Sequence, residues 1–134
     1  MNNTISVMST LLCMMFFHYN LVAQSSPTGI FFSHMDVGAV HHAGKVSYHS
    51  TDQEYLIEGS GANMWFADDQ FHFLWNSIQG DFILRAKVKF VGEGVDPHRK
   101  LGWMARNSFQ PDSEHVSAAV HGDGLVSLQY RSMK

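Results

Sequence analysis

The chain has one cysteine, Cys13, among its 134 residues, and that cysteine lies inside an uncharged N-terminal run. The remainder of the chain therefore has neither a disulfide nor a thiol nucleophile, and stability there is expected to come from burial alone. Positive charge is also sparse, with 9 Lys and Arg against 12 Asp and Glu and a formal net charge of −3. These few cations form no cluster of the kind that attracts a phosphate backbone, which argues against nucleic acid as a partner. From Phe31 onward no 3.6-residue apolar period recurs, so amphipathic helices are not expected. Several catalytic signatures are missing as well. There is no HExxH pair and no Gly-x-Ser-x-Gly elbow, and Gly59-Ser60-Gly61 lacks the flanks that would expose a nucleophilic serine. GSGANM lacks the third glycine of a dinucleotide loop, and GEGVDP runs into proline instead of a helix.

What is present is an apolar chain, 45% hydrophobic and 13% aromatic, which belongs to a folded single domain and not to a disordered segment. Ile5 to Ala23 carries no charged side chain and ends in small residues, so residues 1–23 read as a secretory signal cleaved after Ala23. Its n-region MNNT has no Lys or Arg, and His18 and Asn20 interrupt the apolar run. The alternative is an uncleaved anchor, disfavoured because the clean run falls short of the roughly 20 residues that a spanning helix needs. Leu12 before Cys13 does not fit a lipoprotein site, where a small residue is required. The expectation is an exported protein, periplasmic or extracellular, with no membrane contact after cleavage. Residues 24–30 form a short linker and 31–134 one β domain.

Within that domain the recurring period is two. In GDFILRAKVKF, Phe82, Leu84, Ala86, Val88 and Phe90 alternate with Ile83, Arg85, Lys87 and Lys89, which predicts a strand with one buried and one wet face. His115–His121 and a run through Val126, Leu128 and Tyr130 flank Gly122-Asp123-Gly124 and predict a hairpin. Lys100–Arg106 predicts a further strand, as do Lys45–His49 and Tyr55–Glu58 around STDQ, and Phe71–Trp75. Short strands separated by turn residues indicate an all-β, antiparallel sandwich. LQYRSMK ends as a strand ends, so further strands are expected beyond Lys134.

The order DVGAVHHAGKVSYH, YLIEGSGANMWFADDQFHFLW, GDFILRAKVKF, LGWMARNS, HVSAAVHGDGLVSLQYR resembles a family of secreted bacterial β-jelly-roll domains with the concanavalin A-like lectin/glucanase fold, sometimes attached to TolB-like propellers. The resemblance spans roughly Phe31 to Arg131 and implies a two-sheet jelly roll, an extracytoplasmic location and carbohydrate contact. The same fold includes glucanases and a family that hydrolyses 3-keto-disaccharides, whose GDF-type strand is similar to Gly80-Asp81-Phe82. Fold alone does not transfer activity.

Glycosidases need two carboxyls about 5 Å or about 6.5–9.5 Å apart. Glu54 and Glu58 share a strand face but sit roughly 13 Å apart along it, and Asp68 and Asp69 are adjacent and point oppositely. No catalytic residue is assigned, and the adjacent aspartates are expected to serve hydrogen bonding or a turn. Nine histidines, with His34, His41, His42, His49 and Asp36 close in sequence, raise a metal question, but neighbours on a strand supply one ligand per face, so no metal site is assigned. Glu93, Asp96 and Asp123 offer oxygen ligands in loops for calcium, without a standard calcium-loop spacing, and no cofactor is assigned. Phe71, Phe73 and Trp75 read as core. The other side of the same strand, with His72, would join Arg85, Arg106, Gln129 and Arg131 on an exposed face, where Trp65 or Trp103 would supply a stacking ring for a glycan; Trp103, which shares its face with Leu101 and Ala105, reads equally as packing between the sheets. The leading expectation is a secreted, non-catalytic carbohydrate-binding or accessory module. The alternatives are a glycoside hydrolase with part of its site beyond Lys134, and a structural domain attached to a propeller.

Overall fold

The computed structural model of the chain describes residues 27–94 and 96–132. The expected signal segment and the start of the linker lie outside the described residues. Among these the secondary structure is all-β and antiparallel, without a helix. Nine strands form four small sheets: β1 (Ser33–Val37) with β6 (Phe71–Trp75), β2 (Lys45–His49) with β3 (Glu54–Glu58), β4 (Met64–Trp65) with β5 (Asp68–Asp69), and a sheet in the order β7 (Lys100–Arg106), β8 (His115–His121), β9 (Val126–Arg131). The hairpins β2–β3 and β8–β9 form where turn-rich tetrads and triads interrupt alternating runs. In the second, His121 N–H donates to Leu125 O at 2.8 Å, and the Asp123 carboxylate accepts from Leu125 N–H at 3.0 Å, closing the turn.

Period two fixes which residues share a face but needs a ladder to become a sheet. Gly80–Phe90, whose alternation is the most regular in the chain, forms no strand among the described residues; Phe82, Ile83, Val88 and Val91 are exposed. The expected strand is therefore absent among the described residues. An extended segment gains its hydrogen bonds and its dry face only from a neighbour, and no described strand lies in ladder contact with this one.

The ribbon β1–β6 is two-faced. On one face Val37, Phe71, Phe73 and Trp75 cluster, with the Phe71 and Phe73 rings 5.7 Å apart and the Phe109 ring 4.8 Å from Trp75. On the other, His34, Asp36 and His72 turn toward the β2–β3 hairpin, which is anchored by the stacked Tyr48 and Tyr55 rings and by Phe31 set edge-on to Tyr55 at 5.2 Å. The expectation that the Phe71 stripe packs inward holds in part, since its residues are half-buried.

The three-stranded sheet reverses the expected sidedness. Val116, Val126, Leu128 and Tyr130 are exposed, whereas His115, Ser117, Ala119 and His121 are buried. Alternation is as anticipated, but the polar row faces inward: His115 lies against buried Asp69 and His121 against Ser127, and water-exposed apolar area is individually tolerable. The interior is accordingly polar. Val37 and Ala119 are the buried apolar residues among those described, against six buried polar ones, Thr28, Asp69, Ser113, His115, Ser117 and His121. Stability expected from apolar burial alone therefore rests heavily on satisfied hydrogen bonds. The Ser117 hydroxyl finds no hydrogen-bond partner among the described residues. Leaving a buried hydroxyl unpaired costs about 1–3 kcal/mol. Ser117→Ala is expected to raise stability by about 1 kcal/mol, read as a higher urea midpoint at unchanged m-value; a lower midpoint would show that the hydroxyl is paired.

Candidate functional site

The candidate site is built around one row of the three-stranded sheet. Arg106, His115 and Arg131 are register partners on β7, β8 and β9, and their side chains converge on Asp69 from the β4–β5 hairpin. Asp69 is fully buried, while its neighbour Asp68, pointing the other way, is exposed. Arg131 grips the carboxylate with both terminal nitrogens, at 2.8 and 2.5 Å, and Arg106 approaches at 3.5 Å. The two-pronged contact is the strong form of this pair. The guanidinium groups also donate to backbone carbonyls of the β7–β8 loop. Arg131 bonds Pro111 and Ser113, and Arg106 bonds Ser108 and Gln110, while the Arg106 guanidinium sits 5.1 Å from the Phe71 ring centre. The loop is thus folded around the ion cluster.

Charge counting explains His115. Two cations already face one carboxylate, so a third would be unfavourable. Burial pushes the His115 pKa below its usual 6.5; Asp69 opposes this and Arg131 reinforces it. The imidazole is neutral near pH 7, with Nδ1 3.7 Å from Asp69, beyond hydrogen-bond reach. The two arginines differ: burial lowers the pKa of Arg106, and the hydrogen bond to Asp69 raises that of Arg131.

Beside this cluster the surface is concave. A groove of about 370 Å³ is lined by Met64, Trp65, Phe66, His115, Leu128, Gln129, Tyr130 and Arg131. Residues from both faces of β9 line it, so it runs along the edge of β9 that has no ladder partner among the described residues. An open concavity of about 540 Å³ continues it past Arg106 and Glu114, sharing His115, Tyr130 and Arg131. Three rings rise from the rim: Trp65 is 56% exposed, Phe66 91% and Tyr130 77%. Phe66 opens the two-residue turn between β4 and β5 with a φ of +57°. A left-handed backbone in a residue with a β-carbon costs about 1–2 kcal/mol.

A second polar cluster lies on β1–β6. His72 Nδ1 meets Asp36 at 2.7 Å, His34 Nδ1 meets His72 Nε2 at 2.9 Å, and Gly44 N–H donates to both Asp36 oxygens at 3.1 Å. Burial acts to raise the Asp36 pKa, but the bonds from His72 and Gly44 outweigh it and hold it below 3.8. With Asp36 ionised, the His72 Nδ1–H donates to it, and the second ring nitrogen of His72 lies against His34 Nδ1. A side chain at Gly44 or Gly59 would overlap His72, so backbone contact pins the ring. The arrangement orients imidazoles and docks the hairpin. Among the described residues no group of three or more His, Cys, Asp or Glu is placed to hold a metal ion. Asp96 and Asp123 accept backbone N–H groups of His98 and Leu125 in their own turns, and Glu93 is exposed.

Of the six residues expected to bind a ligand, Trp65, Gln129 and Arg131 meet in the groove. Arg106 lines the adjoining concavity, where its guanidinium is held by Asp69. His72 is buried on β6 against Asp36, and Arg85 is exposed on the segment that forms no strand. Trp103 lies 6.4 Å from the Phe31 ring and does not reach the groove. Phe66 and Tyr130 join the rim unforeseen by sequence reasoning. In the sequence Tyr130 is one member of an alternating row, and Phe66 carries no periodic signal.

Removing one partner of a buried ion pair costs about 3–5 kcal/mol because the others stay buried and charged. Asp69→Asn is expected to fall in that range by chemical denaturation; a loss under about 1 kcal/mol would mean that the cluster is solvated. For His115, the lowered pKa gives stability that is complete above 6.5 and is lost as pH falls through the folded-state value. The wild-type melting temperature is expected to drop more steeply from pH 7 to pH 5 than that of His115→Gln, and parallel profiles would refute the assignment. No family model, curated protein or solved structure matches this chain.

Proposed function

We propose that the chain is an exported, non-catalytic accessory module that binds glycans in the groove along β9. On this reading the antiparallel sheets belong to a concanavalin A-like jelly-roll sandwich, in keeping with the motif order of the sequence. The observation that carries the proposal is the set of exposed rings Trp65, Phe66 and Tyr130 around a lining that includes Gln129 and Arg131. Sugars are amphipathic, with apolar C–H faces that stack on rings and hydroxyls that need donors and acceptors at the sides. The main-chain groups along the β9 edge, which has no ladder partner among the described residues, add to that polar supply.

Binding is favoured over hydrolysis by the carboxylates. Glu114 lines the adjoining concavity and Asp69 is engaged by two arginines, whereas glycoside hydrolysis calls for two carboxyls flanking the scissile bond. An open groove buries little of its ligand, so each contact is weak and avidity matters. A second reading, a structural domain that positions a neighbour such as a TolB-like propeller, draws support from the exposed apolar row Val116, Val126, Leu128 and Tyr130.

Trp65 and Gln129 are the clean probes, because substituting Arg106 or His72 would disturb buried bonds. In affinity gels containing a panel of polysaccharides, wild type is expected to be retarded by at least one. Trp65→Ala should bind that polysaccharide about tenfold more weakly with its melting temperature unchanged. Wild-type migration indifferent to every glycan would exclude the binding reading.

A further inference from the structure

We infer that residues 81–91 form an exchange arm, and that its partner is the open edge of β3 in a second copy of this chain. The pairing uses neither the groove nor the ion cluster.

Gly80 and Gly92 bracket the arm. Both have positive φ, at +78° and +75°, and at each the space where a β-carbon would stand holds nothing within 4 Å. Among the described residues no backbone hydrogen bond reaches residues 81–91, which are exposed apart from half-buried Leu84 and Phe90. A run of free N–H and C=O groups with alternating side chains is the form of chain that adds to a sheet edge.

Charge selects the edge. Arg85, Lys87 and Lys89 recur at every second residue, and none of them enters an ion pair among the described residues. On β3, Glu54, Leu56 and Glu58 share one face at the same spacing, all exposed, and the two carboxylates are likewise unpaired. Lys45 and His49 oppose them across the β2–β3 ladder without forming an ion pair. The other edge of β3 has no ladder partner among the described residues.

Antiparallel alignment of Arg85 with Glu58 sets Lys87 on Leu56 and Lys89 on Glu54, so the aliphatic stem of Lys87 covers Leu56 between two ion pairs. On the opposite face the same register brings Ala86 to Ile57 and Val88 to Tyr55, where Ile57 and Val88 are exposed. One alignment thus matches both faces. The other edges do not offer this. Cations stand on β2 (Lys45), β7 (Lys100 and Arg106) and β9 (Arg131), while β4 and β6 carry no carboxylate. Asp36 of β1 is bonded to His72, and β5 is two residues long. In its own chain the arm forms no ladder with β3, so that edge is open to the arm of another copy. Reciprocal exchange about a two-fold axis gives two such ladders per dimer.

Sedimentation equilibrium of the full chain from micromolar to millimolar concentration tests the pairing. Wild type is expected to dimerise. Arg85→Glu and Glu58→Arg each replace an attraction by a repulsion in both ladders, and each should weaken the dimer about a hundredfold. An equal mixture of the two variants should regain wild-type affinity, because in the mixed dimer every arm meets an edge of opposite charge. Both reversals in one chain should do the same. A wild-type monomer throughout the range overturns the exchange. A dimer indifferent to Glu58→Arg overturns the choice of β3 and places the arm on another edge such as that of β9. A mixture that stays monomeric overturns the reciprocal register.

Discussion

A carboxylate removed from water cannot stay charged without compensation, and the arrangement of this protein depends on how Asp69 is compensated. Two guanidinium groups, from β7 and β9, reach it through the sheet, and a hairpin tip brings it to them. Because Arg131 and Arg106 also hold four carbonyls of the β7–β8 loop, one anion organises a sheet, a hairpin and a loop together. It also decides which side of the sheet is inside. His115, at one end of the polar row of β8, lies against the carboxylate, and the apolar row is left to solvent. The rim rings Trp65 and Phe66 belong to the hairpin that carries Asp69, so the same ion cluster that fixes the fold sets the width of the groove.

Much of the local structure is legible in the sequence. Lys100–Arg106, Phe71–Trp75 and the hairpin around Gly122-Asp123-Gly124 form where alternation and turn residues place them. Alternation, however, assigns residues to two faces without saying which is buried. For β8 the answer depends on Asp69, whose contact with Arg131 spans 62 residues of sequence. The Gly80–Phe90 segment shows the complementary limit. Its pattern is fit for a strand, yet a ladder is a property of two segments and the pattern describes one.

The site is legible in proportion to how local its chemistry is. Trp65, Gln129 and Arg131 stand out by residue type and meet in the groove. His72 reads as an outward imidazole, but its partner Asp36 stands 36 residues away and draws it inside. The adjacent aspartates read as hydrogen-bonding groups on opposite faces, and Asp69 fills that role. Phe66 leaves no trace, since a backbone dihedral at a hairpin tip has no periodicity to detect. The signal available is the absence of Gly or Asn between β4 and β5, where such a turn ordinarily has one.

The edge of β9 and the Gly80–Phe90 segment, neither of which has a ladder partner among the described residues, together bear on how the chain behaves when crowded. Each is a half of a potential ladder, so neighbouring copies offer one another templates for cross-chain pairing. Arg85, Lys87 and Lys89 alternate along that exposed segment, so pairing two copies of it in register would align like charges. Their repulsion is screened within about 8 Å at physiological ionic strength and more tightly in concentrated salt. Electrolyte therefore sets how strongly these three charges oppose such in-register pairing between copies.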